Sequence, residues 1–130
     1  MVSFGRLDME KRRALVIEDY EDLAAHMVDV LTEEGYEVAV SHTGADGMAK
    51  AETLHPDLVV VDLMLPEVHG FDVCQRLRSG PRGKTVRILV VSAKRYEHDV
   101  RLALGVGADR YLKKPFTTEE FLSAVRALSP

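Results

Sequence analysis

The sequence predicts an α/β fold, in which helices cover both faces of a five-stranded parallel sheet of the doubly wound (βα)5 type. Short apolar runs alternate along the chain with segments of helical spacing. This alternation is typical of parallel strands joined by right-handed helical crossovers. Several runs are continuously apolar, as expected for strands that are buried on both faces. Periodicity alone does not define the order of the strands in the sheet.

Five apolar runs are the predicted strands, and turn-forming or polar residues separate them from the segments that follow. The first four are rich in Val, Ile and Leu, which favour buried strands, and the fifth is weak. In chain order the predicted strands are Ala14–Ile17, Val38–Val40, Leu58–Val61, Val86–Val91 and Tyr111–Leu112.

Each segment after a strand carries apolar residues at helical spacing, which predicts five helices. The predicted apolar stripes are Leu23, Met27 and Leu31; Met48, Ala51 and Leu54; Phe71, Cys74 and Leu77; Val100, Ala103 and Leu104; and Phe121, Val125 and Leu128. Gly35, the run from Ser79 to Pro81, and Gly105 are predicted to end the first, third and fourth helices. Thr117 and Glu120 form a capping box that predicts the start of the last helix.

Length and composition indicate one ordinary globular domain, which we place at residues 13–128 after an N-terminal extension, 1–12, expected to be flexible. The 130 residues are 46% hydrophobic and 29% charged. The net charge of -4 disfavours direct nucleic-acid binding, and no apolar run approaches the ~20 residues of a membrane span. Cys74 has no partner for an internal disulfide, and the first residues lack the apolar core of a signal peptide. We therefore expect a cytoplasmic protein without a membrane partner.

Polar residues follow four of the predicted strands. Glu18 and Asp19 follow the first strand, Asp62 the third, Ser92 the fourth and Lys114 the fifth. Each residue by itself has an ordinary explanation as a helix cap, a turn residue or a solvated side chain. Together they indicate a site, because ligands of open parallel sheets bind beyond the carboxyl ends of the strands. We call this side of the sheet its carboxyl edge.

Three carboxylates at one edge repel one another, which raises the pKa of one or more of them unless a positive charge compensates. Two candidates for that charge are a divalent cation and Lys114. Oxygen-only ligands predict Mg²⁺, with Mn²⁺ as a substitute. Zinc is disfavoured, because Cys74 lies within a predicted helix and the five histidines lack ligand spacing. His69 is the only histidine expected near the edge, and we interpret it as a solvated loop residue.

Four segments of the chain resemble the receiver domain of bacterial two-component response regulators. They read ALVIED, VVVDLMLPEVHG, ILVVSA and YLKKPF, and they occur in the family's order at the predicted strand ends. The resemblance covers about residues 13–128. It implies the strand order 2-1-3-4-5 of a flavodoxin-like three-layer sandwich.

The resemblance also implies the roles of individual residues. Asp62 matches the phosphoacceptor, and Glu18, Asp19 and Asp62 match the carboxylates that hold Mg²⁺. Met64 matches the position whose backbone carbonyl also binds the metal. Lys114 matches the lysine that pairs with the phosphoryl group.

Three further residues match the parts of the family that respond to phosphorylation. Ser92 matches the switch hydroxyl, and Tyr111 matches the aromatic residue whose ring moves between outward and inward positions. Pro115 matches a proline that follows a cis peptide bond. A change at these positions is expected to alter the face formed by the fourth helix, fifth strand and fifth helix.

The resemblance implies a phosphoryl-accepting signalling switch rather than a turnover enzyme. Its expected partners are a sensor histidine kinase or a histidine phosphotransfer protein, and an unknown downstream protein or fused output domain. We expect residues 13–128 to form the receiver domain alone, without an output domain among the 130 residues. A monomer or a phosphorylation-dependent homodimer is expected, and Arg110 and Ala124 depart from residues that help form dimer salt bridges in one branch of the family. His69 also departs, since an Asp is common there.

Three other functions are possible for this fold. A receiver-like interaction module that works without phosphorylation would keep the same residues. A flavodoxin-like cofactor binder would need a Ser, Thr or Gly-rich phosphate loop after the first strand, where this chain has acidic residues. A phosphatase with an aspartyl nucleophile often has a second acid two residues later, where this chain has Met64.

Overall fold

In the residues that the structure describes, five parallel strands form a single sheet in the order β2-β1-β3-β4-β5. The computed structural model describes residues 11–94 and 97–129. The strands are β1 (Arg13–Ile17), β2 (Glu37–Ser41), β3 (Leu58–Asp62), β4 (Arg87–Ser92) and β5 (Arg110–Lys113). The predicted fold class and strand order are confirmed, and so is the weak fifth strand, which pairs with β4 at one side of the sheet.

In the described part of the chain, four helices connect successive strands, a fifth follows β5, and together they cover both faces of the sheet. They are α1 (Glu21–Glu33), α2 (Gly44–Leu54), α3 (Gly70–Ser79), α4 (Glu97–Gly105) and α5 (Thr118–Leu128). Helix α5 begins with the predicted capping box: the Thr117 hydroxyl accepts from Glu120 N–H at 3.0 Å, and the Glu120 carboxylate accepts from Thr117 N–H at 2.8 Å. Among the described residues, no helix is long and apolar enough to cross a membrane.

Two apolar cores lie on opposite faces of the sheet, as the continuously apolar strands predict. On β1, Ala14 and Val16 belong to the core under α1 and α5, while Leu15 and Ile17 belong to the core under α2, α3 and α4. All five residues of β3 are buried, including the terminal Asp62. Because β3 is central and covered on both faces, its last residue is held at a well-defined place on the carboxyl edge.

The predicted boundaries and stripes need two corrections, whereas Gly35 ends α1 as predicted. Strand β4 begins at Arg87, so Val86 lies in the preceding loop. Helix α1 ends at Glu33, and Gly35 terminates it at φ +102°, with its N–H donating to the Thr32 carbonyl at 3.0 Å. Leu104 is 44% exposed, although we predicted it in the apolar stripe of α4. Ala103 is the buried residue there, and the next residue of a helix is turned about 100° away from it.

The predicted extension at residues 1–12 is described only at its last two residues, which precede β1. Residues 1–10 lie outside the described residues, so the prediction that they are flexible stays a prediction.

Candidate functional site

Two central strands bring three carboxylates together at the carboxyl edge. Strands β1 and β3 pair in register, so Glu18 and Asp19 follow Ile17 beside Asp62. One oxygen from each of the three carboxylates lies within 4.8 Å of the other two. We call this group the acidic site. Its donors are all hard oxygens, and such a donor set fits Mg²⁺.

Lys114 supplies a positive charge between two of these carboxylates. Its Nζ lies 2.9 Å from Glu18 Oε1 and 3.1 Å from Asp62 Oδ2. Lys114 directly follows β5 and lies 96 residues after Glu18 in the chain. The sequence left two candidates for the compensating positive charge, Lys114 and a divalent cation. The structure places the Lys114 ammonium directly beside the acidic site. The carboxylate oxygens of the site also suit a metal ion.

Of the three carboxylates of the acidic site, that of Glu18 is the most deeply buried. It is fully buried, and this burial raises its pKa from 4.5 to about 7, with the charge of Asp62 adding to the shift and Lys114 opposing it. For Lys114, burial lowers the pKa, but contacts with Glu18 and Asp62 outweigh it and the net pKa is raised. The expected rise in a carboxyl pKa is present, but burial causes more of it than repulsion between carboxylates.

The loop after β3 fixes the orientation of the Asp62 carboxylate. Asp62 Oδ1 accepts a hydrogen bond from Met64 N–H at 3.0 Å, while the Met64 side chain is 51% exposed. Gly70 N–H returns to the carbonyl of Leu63 at 3.0 Å. One carboxylate oxygen thus faces the backbone and the other faces Lys114, so the side chain has a defined position before any ligand binds.

Ser92 and Tyr111, which are predicted to be switch residues, both bond the backbone of Lys94, a contact that the sequence does not reveal. Lys94 N–H donates to Ser92 Oγ at 3.1 Å, and the Tyr111 hydroxyl donates to the Lys94 carbonyl at 2.6 Å. Ser92 is fully buried, and Tyr111 is half-buried. The Tyr111 ring is thus already tied to the loop after β4.

Two histidines have structural roles that the sequence did not reveal. His69 is exposed, as expected, but it also caps α3: its Nδ1 accepts from Phe71 N–H at 3.3 Å, and its ring stacks on Phe71 at 4.8 Å between centroids. His42 also lies at the carboxyl edge, contrary to the expectation that His69 would be the only histidine there, and it contacts the backbone of Glu18. Histidine is not among the preferred capping residues, so only the position of His69 directly before the predicted third helix could have suggested a cap.

The peptide bond between Lys114 and Pro115 is cis, as the resemblance implied. It lies directly after β5, where the backbone N–H of Lys114 also donates to the carbonyl of Ser92 at 2.8 Å. The backbone at Lys114 is therefore attached to the end of the neighbouring strand.

A doubly wound sheet in the order 2-1-3-4-5, with an acidic site and a lysine at its carboxyl edge, defines a receiver of the CheY type. The chain belongs to the response regulator receiver domain family, whose family model matches residues 14–126. It is therefore a receiver domain of two-component signalling. Receiver domains are signalling modules and, in general, not turnover enzymes.

Sequence relatives agree with this assignment. A Picosynechococcus protein named as a probable transcriptional regulatory protein is 45% identical over 125 residues, which are 91% of this chain and 49% of the relative. The response regulator ArlR of Staphylococcus aureus is 37% identical over 114 residues, or 88% of this chain and 51% of ArlR. The chain spans about half the length of the curated relatives that it matches.

Solved structures show the same fold. The receiver domain of Francisella response regulator 1452 superposes with a TM-score of 0.81 at 26% identity, covering 90% of this chain and 95% of that one. The chemotaxis response regulator CheY4 of Vibrio cholerae superposes with a TM-score of 0.86 at 24% identity, covering 92% and 99%. The second likeness concerns the fold alone.

Proposed function

We propose that Asp62 accepts a phosphoryl group from a phosphohistidine of a sensor kinase or a histidine phosphotransfer protein. One observation carries this proposal: the Asp62 carboxylate lies within 4.8 Å of the carboxylates of Glu18 and Asp19 and 3.1 Å from Lys114 Nζ. A nucleophilic carboxylate beside metal ligands and an ammonium is what formation of an aspartyl phosphate requires.

The transfer forms one bond and breaks one. A carboxylate oxygen of Asp62 attacks phosphorus, and the bond from phosphorus to the donor nitrogen breaks, so that the imidazole leaves with the electron pair. Lys114 stabilises charge on the phosphoryl oxygens, since its ammonium is already positioned beside Asp62. Mg²⁺ bound by Glu18, Asp19, Asp62 and the Met64 carbonyl would neutralise further charge on those oxygens.

The contacts of Lys94 support a route from the phosphoryl group to the surface. In the proposed switch, the Ser92 hydroxyl donates to the phosphoryl group and its loop shifts. Lys94 is bonded to both Ser92 and Tyr111, so a displacement of the loop reaches the tyrosine ring. The face formed by α4, β5 and α5 then changes, and a downstream protein or an output domain recognises it.

Mass spectrometry of the intact protein tests the assignment of Asp62. With Mg²⁺ and acetyl phosphate, the wild-type protein is expected to gain one phosphoryl group, and Asp62→Asn is expected to gain none, because an amide is not a nucleophile of this kind. Asp29→Asn, at an exposed position on α1, is the matched control and should be phosphorylated normally.

Two results would contradict the proposal. An adduct of equal yield on Asp62→Asn would place the phosphoryl group elsewhere. No adduct on the wild-type protein, with Mg²⁺ present and the fold intact, would favour an interaction module that works without phosphorylation.

A further inference from the structure

The carboxyl end of β2 holds the backbone of Glu18 on both sides. The Ser41 carbonyl accepts Glu18 N–H at 3.0 Å, and Nδ1 of His42 lies 2.9 Å from the Glu18 carbonyl oxygen. Because a carbonyl oxygen only accepts, Nδ1 of His42 carries the proton and donates it. The two contacts therefore restrain both peptide groups that flank Glu18.

The restraint from His42 reaches Asp19 through a single peptide group. The Glu18 carbonyl and the Cα of Asp19 lie in one plane, because the peptide bond is planar. Asp19 is exposed, and in the part of the chain that the structure describes no hydrogen bond or ion pair holds its carboxylate. The direction of the Asp19 side chain thus depends on the backbone that His42 holds.

The end of β2 is itself well supported by α2. The Ser41 hydroxyl donates to Asp46 at 2.7 Å, and Lys50 Nζ donates to the Val40 carbonyl at 2.6 Å while pairing with Asp46 at 3.1 Å. These bonds fix the strand end to a helix. His42 follows directly after this supported segment, so its imidazole is attached to a rigid part of the fold.

We propose that His42 is a positioning residue of the acidic site, which sets the metal affinity of Glu18 and Asp19 by holding the peptide group between them. The inference rests on the proposed function, because it concerns the same metal site. His42 acts through the Glu18 carbonyl and not as a metal ligand. Its loss leaves all the carboxylates present but lets the peptide group and the Asp19 side chain rotate.

Three variants separate positioning from a general structural effect. His42→Ala removes the donor, and His42→Asn keeps one, because the amide nitrogen of Asn occupies about the place of Nδ1. His26→Ala is the matched control, since His26 bonds Thr118 between α1 and α5. Titration calorimetry with MgCl₂ is expected to show a roughly 3- to 10-fold higher Kd for His42→Ala, the range of one lost hydrogen bond. The other two variants should stay near the wild-type value.

Phosphorylation kinetics provide a second measurement. A merely structural role of His42 would not give the Mg²⁺ dependence expected here. With acetyl phosphate as donor, His42→Ala should need more Mg²⁺ for half-maximal rate and reach the wild-type rate at saturating Mg²⁺. Unchanged Mg²⁺ affinity in His42→Ala, or a lower maximal rate with unchanged Mg²⁺ dependence, would overturn the inference alone. Failure of the wild-type protein to bind Mg²⁺ would overturn the proposed function and, with it, this inference.

Discussion

Glu18 and Asp19 are adjacent acids in opposite environments. Glu18 is fully buried and pairs with Lys114 at 2.9 Å, whereas Asp19 is exposed. A buried carboxylate without full compensation is destabilising, because the charged form loses its hydration. Lys114 offsets only part of this cost, which is why the pKa of Glu18 remains raised. Without a bound metal ion, the buried charge of Glu18 therefore lowers the stability of the fold.

Replacement of Glu18 by Gln should reveal this cost as a pH dependence of stability. The pKa of Glu18 is about 7 in the folded protein against 4.5 ordinarily, so between these values the folded state keeps a proton that the unfolded chain has lost. The wild-type protein should therefore lose stability, relative to Glu18→Gln, as pH rises from about 4.5 to 7, by at most ~1.4 kcal/mol per pH unit. Urea denaturation in EDTA at several pH values measures the difference.

The control for this series is Glu52→Gln, at an exposed position on α2. Its stability should follow that of the wild-type protein at every pH. If the free energies of unfolding of wild type and Glu18→Gln changed in parallel with pH, burial would not raise the pKa of Glu18. That result would contradict the buried position of its side chain.

At the scale of single elements, the loop from β3 to α3 is the most tightly constrained part of the site. A Cβ at Gly70 would lie 2.5 Å from Leu63 Cα and 2.6 Å from the Asp62 carbonyl oxygen. Both are backbone atoms, which have little room to move. The start of α3 and the residue after the proposed phosphoacceptor therefore approach each other as closely as a glycine permits.

Gly70→Ala is expected to destabilise the protein by about 1–3 kcal/mol, the usual cost of overpacking, and to slow phosphorylation by acetyl phosphate. The reason is that Leu63 and Asp62 must shift to make room. Gly105→Ala is the matched control, because a Cβ there meets nothing within 4 Å. Denaturant unfolding and the phosphorylation rate are the measurements. Equal stability of the two variants would show that the loop is more adaptable than its contacts indicate.

At the scale of the whole molecule, the acidic site and Lys114 bring together residues that are far apart along the chain. Glu18 and Asp19 follow β1, Asp62 ends β3 and Lys114 follows β5. A metal ion bound by the acidic site would join the carboxyl ends of β1 and β3. Binding to the folded state alone must stabilise the whole domain, because the unfolded chain does not hold these residues together.

Mg²⁺ should therefore raise the melting temperature of the wild-type protein. At 100 times its Kd the stabilisation is about 2.7 kcal/mol. Asp19→Asn should show a smaller rise and a metal-free stability close to wild type, since Asp19 is exposed. Thermal unfolding with and without MgCl₂ at constant ionic strength measures both. A rise of the same size in the two proteins would place the stabilising ion outside the acidic site.

Much of the fold and of the candidate site is predictable from local patterns. The apolar runs at Ala14–Ile17 and Leu58–Val61 identify strands because a strand buried on both faces is apolar throughout. Asp62 and Lys114 could be assigned to one edge because parallel strands all end on the same side. The capping box at Thr117 is also local, since it involves only two residues three positions apart.

The sequence by itself thus determined the fold class, the position of each strand to within one residue at either end, and the three carboxylates that meet at the acidic site. Only the tertiary structure decided that Lys114 lies between Glu18 and Asp62, that His42 holds the Glu18 carbonyl, and that Leu104 faces solvent. The physical reason is the separation along the chain over which each effect acts. Periodicity and capping act within one or two helical turns, whereas burial and hydrogen bonding of a side chain depend on how separate elements pack against it.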